Sequence, residues 1–331
     1  MNSRLVNWFE GIILIIINPS KPEYLRDMKN KDYFNVAGIS ICVENEPLTG
    51  KIQFKPEVEA FRIAQPGEDL VTLSHYFNLP DMKAVELGEK VYQKAPWIIY
   101  HDKTNGNWTY LGISAGAKGE KPYSMSVFAA DYSGGQLYHH HSYLKNRFME
   151  SWPSLSLMVT DQIWLAPLLP DRQAFLIHSA AAIINGKGMV FVGHSEAGKS
   201  TIVRLLKRAK IDQGADVEIL CDDRNILRRW KDCWRVHGTW SHGDETDVSP
   251  ASAPLQGIFF LKKDNVNKVS PLEETQKIRQ RLLPTMIKSF PTAEWWEKVI
   301  VLNEKLVREV PSYLVHFDQS GGIFSGLAEM I

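Results

Sequence analysis

The chain has 331 residues, and at roughly 150 residues per domain that length predicts about two domains. Its 44% hydrophobic and 23% charged residues are the mix of a folded globular protein, which excludes disorder, collagen and coiled coil for the chain as a whole. Lys and Arg (38) balance Asp and Glu (38), so no long-range basic field gathers nucleic acid.

Taken from the N-terminus, the first marked segment is Gly11–Ile17 (GIILIII). It falls well short of the ~18 apolar residues a membrane span requires, and no small-residue cleavage site follows it. Its β-branched content predicts a buried strand. A soluble, cytoplasmic protein is the expectation. Short strands are then predicted at Val36–Glu44, Gly50–Phe54, Trp97–Tyr100, Trp108–Ile113 and Ser124–Ala129, separated by turn-rich stretches such as Asp102–Asn107. That spacing predicts a β-rich antiparallel sheet or sandwich over residues 1–150, a candidate for substrate or partner selection. His139, His140 and His141 close this half. Consecutive strand residues face opposite ways, so the three cannot converge on a metal, and a polar surface segment is expected. Cys42, Cys221 and Cys233 form no CxxC pair. They fit a reducing compartment and argue against structural zinc.

The texture changes near Ser151, and a boundary is predicted within 140–155, dividing the chain into 1–150 and 151–331. A connecting helix is expected over Leu155–Leu169, then strands over Ala174–Ile184 and Gly188–Val192 joined by Asn185-Gly186-Lys187; Asn-Gly between apolar runs is a strong hairpin signal. His178 lies in the first of these strands. Next comes Gly193-His194-Ser195-Glu196-Ala197-Gly198-Lys199-Ser200-Thr201, which fits G-x-x-x-x-G-K-[ST] at every fixed position. The glycines let successive N–H groups converge on phosphate oxygens, and the helix that follows turns its positive end toward them. Lys199 brings a charge to the β- and γ-phosphates, and the Ser200 hydroxyl can ligate Mg²⁺. The motif sits between an apolar strand and an amphipathic helix, Thr201–Ala209, as such a loop must.

Val217–Cys221 is the next predicted strand, and Asp222-Asp223 follows it directly. Carboxylates at the C-terminal end of a strand stand where open α/β sheets place ligands; one can organise Mg²⁺ while the other accepts a proton. Beyond them, the turn-rich His237–Gly243 is a candidate substrate loop. Arg224, Arg279 and Arg281 are candidates for transition-state charge, and Trp295-Trp296 is expected in the core or an interface. A strand at Gly257–Lys262, helices near Glu273–Leu283 and Thr292–Val310, and a strand at Ser312–Phe317 complete the chain.

Together these residues resemble the catalytic domain of the HPr kinase/phosphorylase family, whose core is similar to phosphoenolpyruvate carboxykinases. The matching stretches are LIHSAAAIINGKGMVFVGHSEAGKST (176–201) and EILCDD (218–223). The resemblance implies an α/β (α+β) chain: the β-rich N-terminal domain followed by an HPr-kinase-like P-loop domain with a mixed sheet. It implies ATP and Mg²⁺, with Lys199 and Ser200 on the phosphates and metal, Asp222 as base toward an acceptor hydroxyl, Asp223 as metal-linked and His178 as the catalytic-region histidine. Three features depart from the family. Glu196 replaces a glycine of the loop, and Ser179 follows His178 where glycine is usual. The E-[IV]-R-G-x-G segment is missing, Leu255-Gln256-Gly257-Ile258 being its nearest counterpart without the arginine. The function expected is a Mg²⁺-assisted transfer of the ATP γ-phosphate to a Ser-like or sugar-like hydroxyl on a protein, peptide or small molecule. A nucleotide-binding regulator or scaffold without transfer, and a carboxykinase-like enzyme acting on a small carboxylic acid, are the alternatives. The partners expected are a nucleotide and a hydroxyl-bearing acceptor. A homo-oligomer is compatible with the sequence.

Overall fold

The computed structural model describes residues 29–45, 52–114, 122–140, 151–158, 160–194, 196–290 and 292–330. The segment Gly11–Ile17 lies outside them, as do His141 and Ser195.

Alternation builds the first sheet. Along β4 (Leu70–Tyr76) the inward residues are Val71, Leu73 and His75, and along β9 (Gly134–His139) they are Gly135, Leu137 and His139, the period of a strand with one buried face. With β1 (Asn30–Val36), β2 (Ile39–Asn45), β3 (Arg62–Ile63), β5 (Glu89–Lys94), β6 (Trp97–His101), β7 (Trp108–Gly112) and β8 (Ser124–Phe128), they form a nine-stranded sheet of order β3-β1-β2-β4-β9-β8-β7-β6-β5. The expectation of an antiparallel sheet is corrected here: β4 runs parallel to both β2 and β9. The chain reaches β4 from β2 through the short helix α1 (Pro56–Glu59) and β3, and the whole β5–β8 meander is inserted before β9. The single strand predicted over Val36–Glu44 is instead the hairpin β1–β2, which turns at Ala37 and Gly38, both at positive φ.

The helix predicted over Leu155–Leu169 is confined to α2 (Gln162–Leu168). Asp161 explains the difference. Its carboxylate accepts from the backbone N–H of Leu155 (2.8 Å) and Ser156 (2.9 Å), from Ser156 Oγ (2.5 Å), and from the indoles of Trp164 (3.0 Å) and Trp240 (2.9 Å). For its carboxylate to reach amides five and six residues back, the chain loops over 155–161 instead of coiling, and Leu157 adopts a left-handed φ of 54° that a right-handed helix does not contain.

The second sheet is also mixed and nine-stranded. Its path is β10 (Ala174–His178), β14 (Arg224–Arg229), β15 (Trp234–His237), β16 (Ser252–Lys263), β12 (Lys187–Val192), β11 (Ala180–Ile184) and β13 (Val217–Cys221), with β18 (Ser312–Phe317) on β16 and β17 (Lys268–Pro271) on β18. The run predicted as one strand over 174–184 is broken at Ser179, whose N–H goes to the Asp223 carbonyl at 3.0 Å. Hence β10 pairs with β14, and the Asn185-Gly186 hairpin joins β11 to β12. His178 therefore stands one strand earlier than the hairpin.

β12 is apolar on both faces because both are covered. Met189 and Phe191 pack with Ile202 and Leu206 of α3 (Lys199–Gln213). Val190 and Val192 pack with Ile278 of α4 (Thr275–Leu282) and Val299 and Leu302 of α5 (Ala293–Glu309). Thr292 caps α5 by accepting the Trp295 N–H, and α6 (Ile323–Ala328) closes the chain. The two sheets touch through side chains: Arg172 holds Asp69 at 2.8 Å, Arg228 donates to the Ala37 carbonyl at 2.6 Å, and Trp240 meets Phe61 edge-on with centroids 5.4 Å apart. Among the described residues no helix is long and apolar enough to cross a membrane.

Candidate functional site

β12 ends at Val192 and the chain turns through Gly193–Gly198 into α3. A side chain at Gly193 would collide with Ala197, and one at Gly198 would lie 2.6 Å from the Phe317 ring. Gly198 also holds a φ of 105°, which β-carbon-bearing residues avoid. Both glycines are thus required by the turn. Glu196 occupies the left-handed region as well, at φ 68°, and that is where the resemblance led one to expect glycine. No side chain caps the first turn of α3 and no acid lies in it, so its N–H groups and positive end face outward, an arrangement suited to phosphate.

A cleft of about 400 Å³ opens over this turn. Glu196, Gly198, Lys199, Ser200 and Thr201 line it from the loop side, with His178, Asp222 and Asp223 opposite. Gly193 and His194 contribute carbonyls, which accept from Lys199 Nζ at 3.1 and 3.4 Å, and Ala197 is buried in the core beneath. Burial pushes the Lys199 pKa down, an effect partly offset by the charges of Asp223 and Asp222. Ser195 lies outside the described residues.

The two adjacent carboxylates have different surroundings. Asp222 is 3% exposed. It accepts the N–H of Gly243 at 2.6 Å and of Glu245 at 2.9 Å, and the Ser200 hydroxyl at 3.4 Å. The turn-rich stretch after β15 wraps this carboxylate: the ideal β-carbon of Gly243 would sit 3.1 Å from Asp222 Oδ2, and one on Gly238 would strike the Leu220 and Ser249 carbonyls. Asp223 instead binds His178 Nδ1 at 2.8 Å and Arg224 Nη1 at 2.5 Å. Burial works to raise its pKa, but the His178 hydrogen bond and the charges of Arg224, His178 and Lys199 prevail and hold it below the ordinary carboxylate value. Because β10 pairs His178 with Arg224 across the β10–β14 ladder, histidine, arginine and carboxylate meet at one strand end. His178 Nδ1 also lies 3.0 Å from the Asp223 carbonyl. With both its partners acceptors, Nδ1 carries a proton, so in the neutral form of the ring the lone pair is on Nε2.

Of the three arginines singled out from the sequence, Arg224 lies beside the cleft. Arg279 pairs with Glu304 at 3.3 Å and Arg281 lies over the Phe260 ring. Two cations of the cleft escaped the sequence reading: Arg204, on the same helix as Lys199, and Lys263, the last residue of β16. The signal for Lys263 is topological. β16 runs parallel to β12 with Phe260 opposite Val192, so residues just beyond reach the same end of the sheet as the glycine loop. Leu255–Ile258 lies inside β16, with Gly257 opposite Met189 of β12.

The histidine triplet requires a correction. His139 is 1% exposed, not part of a polar surface: it continues the inward alternation of β9, stacks on His75, and places Nε2 3.0 Å from His75 Nδ1. Among the described residues no group of three or more His, Cys, Asp or Glu side chains is placed to hold a metal. Mg²⁺ is commonly bound by one or two protein oxygens together with substrate phosphates, and the candidates here are Ser200 Oγ and Asp222 Oδ2, 3.4 Å apart.

No family model matches the chain, and no curated protein matches it in sequence. Among solved structures it is similar to the HPr(Ser) kinase/phosphatase from Coxiella burnetii at 12% identity, over 47% of this chain and 87% of that one, with a TM-score of 0.26. A likeness that distant bears on neither the site nor the reaction.

Proposed function

We propose that the protein is an ATP-dependent phosphotransferase that moves the γ-phosphate to a hydroxyl. The observation that supports this most is the shared cleft: a glycine turn opening helix α3, with Lys199 and Ser200, faces His178, Asp222 and Asp223 across about 400 Å³. The backbone N–H groups of residues 198–201 and the Lys199 ammonium hold the phosphates. Bound Mg²⁺ supplies charge neutralisation on the transferred phosphoryl group, and Ser200 with Asp222 would hold it. This exchanges the roles expected of the two acids, since Asp222 is the one bonded to Ser200. His178 Nε2, fixed in its tautomer by Asp223, takes the acceptor's proton in the manner of a carboxylate-oriented base. Lys263 adds positive charge at the cleft, whereas Arg224 and Arg204 stand there paired with Asp223 and Glu245, and positioning with charge stabilisation does most of the work in such transfers. The N-terminal sheet, as a domain over 1–150, selects the acceptor.

The test is release of γ-phosphate from ATP with Mg²⁺. Lys199→Ala and Asp222→Asn should each slow it by about 10²–10³, the cost of removing one stabilising group. His178→Asn should slow transfer while leaving the KM for ATP within about twofold. Turnover unchanged in all three rejects the proposal. A nucleotide-binding regulator is the second reading, favoured by Glu196 in the loop and by Lys199 turned onto loop carbonyls; Lys199-dependent ATP binding with no phosphate released would establish it.

A further inference from the structure

Two cavities lie beyond the Arg224–Asp223 ion pair. The first, about 360 Å³, is lined by Ser154, Gln162, Arg224, Trp240 and Ser241. The second, about 540 Å³, is lined by Tyr92, Trp97, Tyr110, Met286 and Phe290. Thr160 and Gln162 line both, so the cavities share an edge. Arg224 lines the first cavity and Asp223 lines the phosphate cleft, and the two side chains are bonded at 2.5 Å. One ion pair therefore separates this space from the residues assigned to phosphoryl transfer. Each volume falls in the range of small-molecule sites, roughly 300–1,000 Å³.

The walls define what fits. The charge of Arg224 is matched by Asp223, and Asp161, which also lines the first cavity, has its carboxylate engaged by the five donors described above. Lys288, on the rim of the second, has its ammonium 5.2 Å from the centre of the Trp296 ring. No unmatched ion in the first cavity calls for a charged ligand. A neutral hydroxyl is at hand instead, on Ser241. Ser241 Oγ accepts from Arg224 at 2.6 Å and keeps its own proton to donate. The second cavity is lined by Tyr92, Trp97, Tyr110 and Phe290, an aromatic wall that suits a flat apolar ring.

We propose that the paired cavities are the acceptor site, and that the acceptor is a neutral glycoside: a sugar in the first cavity with one hydroxyl reaching past the Arg224–Asp223 pair into the phosphate cleft, and a flat aglycone in the second. This rests on the phosphotransferase proposal and names its substrate class. In the step, the sugar hydroxyl oxygen bonds to the γ-phosphorus while the bond from that phosphorus to the β,γ-bridging oxygen breaks. ADP leaves with the electron pair, and the hydroxyl proton passes to His178 Nε2.

The full chain is incubated with Mg²⁺ and γ-labelled ATP beside 4-nitrophenyl β-glucoside, uridine, methyl β-glucoside and a pool of serine-containing peptides. The aryl glucoside should take the label at concentrations at least tenfold below methyl glucoside and uridine. Trp97→Ala should raise the KM of that acceptor tenfold or more, with the KM for ATP within twofold. Gln162→Leu, a second variant on the shared edge, should act in the same direction. Equilibrium dialysis of 4-nitrophenyl β-glucoside against wild type and Trp97→Ala reads the cavities without turnover. Lys199-dependent turnover that labels peptides and no glycoside overturns the acceptor class, as does absence of glucoside binding in dialysis. Trp97-dependent binding with no ATP turnover would instead sink the phosphotransferase proposal and leave the glycoside site standing.

Discussion

His139 and His178 each end a strand, one in each sheet, and their fates differ completely. His139 turns inward among His75, Phe77 and Trp152, fully buried, and burial drives its pKa down to about 3. His178 ends β10 at a cleft, half-exposed, with a carboxylate on one nitrogen. The first sheet thus uses its buried polar side chains as structure, whereas the second gathers charged ones at the strand ends beside a glycine turn. What separates them is the neighbour: apolar rings remove a histidine from solution chemistry, and a partnered acid at an open strand end keeps it available.

The strongest way to break this contrast is through Asp161, whose indole partners Trp164 and Trp240 sit in the core shared by the first sheet and by β10 and β14 of the second. Asp161→Ala strands five donors in a dry interior and should destabilise the chain by about 3–5 kcal/mol, the scale of a disrupted buried network. Urea unfolding followed by tryptophan fluorescence checks it. A single transition, shifted as a whole, means that the sheets fold as one unit; loss of the first sheet alone would show that they are independent.

Lys199→Ala sharpens the contrast from the other side. It should lose the turnover described above and yet leave the urea midpoint unchanged or slightly higher, because burial already disfavours the Lys199 ammonium. Function without a stability contribution is what a built site predicts. An equal fall in midpoint would make Lys199 structural.

Acid distinguishes the regions further. In the folded chain the pKa of His139 is lowered to about 3 and that of His75 is held well below its usual value, both by burial. Unfolded histidines titrate near 6.5, so the unfolded chain binds more protons below that pH. The stability these groups contribute is full above pH ~6.5 and is lost as pH falls toward 3, about 2 kcal/mol for His139 by pH 5. His237 in β15 is lowered to about 3 as well, by burial and by Arg235 and Arg228, so both sheets lose stability in acid. His139→Phe should remove one proton's worth of slope in urea midpoint against pH between 6.5 and 4, and His237→Phe another. A profile unaltered by His139→Phe would mean that its ring is not buried neutral.

Much of the second sheet was legible because its signals are local. A glycine loop, an Asn-Gly turn and an apolar strand that ends in Asp222-Asp223 each declare themselves within a few residues. Ser312–Phe317 was bounded to the residue. What escaped notice depends on partners far along the chain. Lys263 reaches the cleft because β16 lies parallel to β12, and Asp161 unmakes half a predicted helix by binding amides and indoles, one of them 79 positions away. His139 is the instructive miss: three histidines in a row read as surface, yet Gly135, Leu137 and His139 already mark one face of a strand.

The smallest expected effect concerns Glu196. A residue with a β-carbon at φ 68° carries about 1 kcal/mol of backbone strain, and glycine removes it. Glycine also widens the unfolded ensemble at a cost of about 0.5–1 kcal/mol, so Glu196→Gly should raise stability by less than about 1 kcal/mol. Its effect on nucleotide should be clearer. A carboxylate about 7 Å from a phosphate charge, in water, repels it by about 0.6 kcal/mol, hence ATP should bind about threefold more tightly to the variant, and more so at low salt. Glu196→Gln separates the two causes, since it keeps the strain and loses the charge. If Glu196→Gln tightens ATP as much as Glu196→Gly does, charge is what the glutamate contributes to the loop; if only glycine tightens it, the left-handed turn itself limits how the loop closes on phosphate.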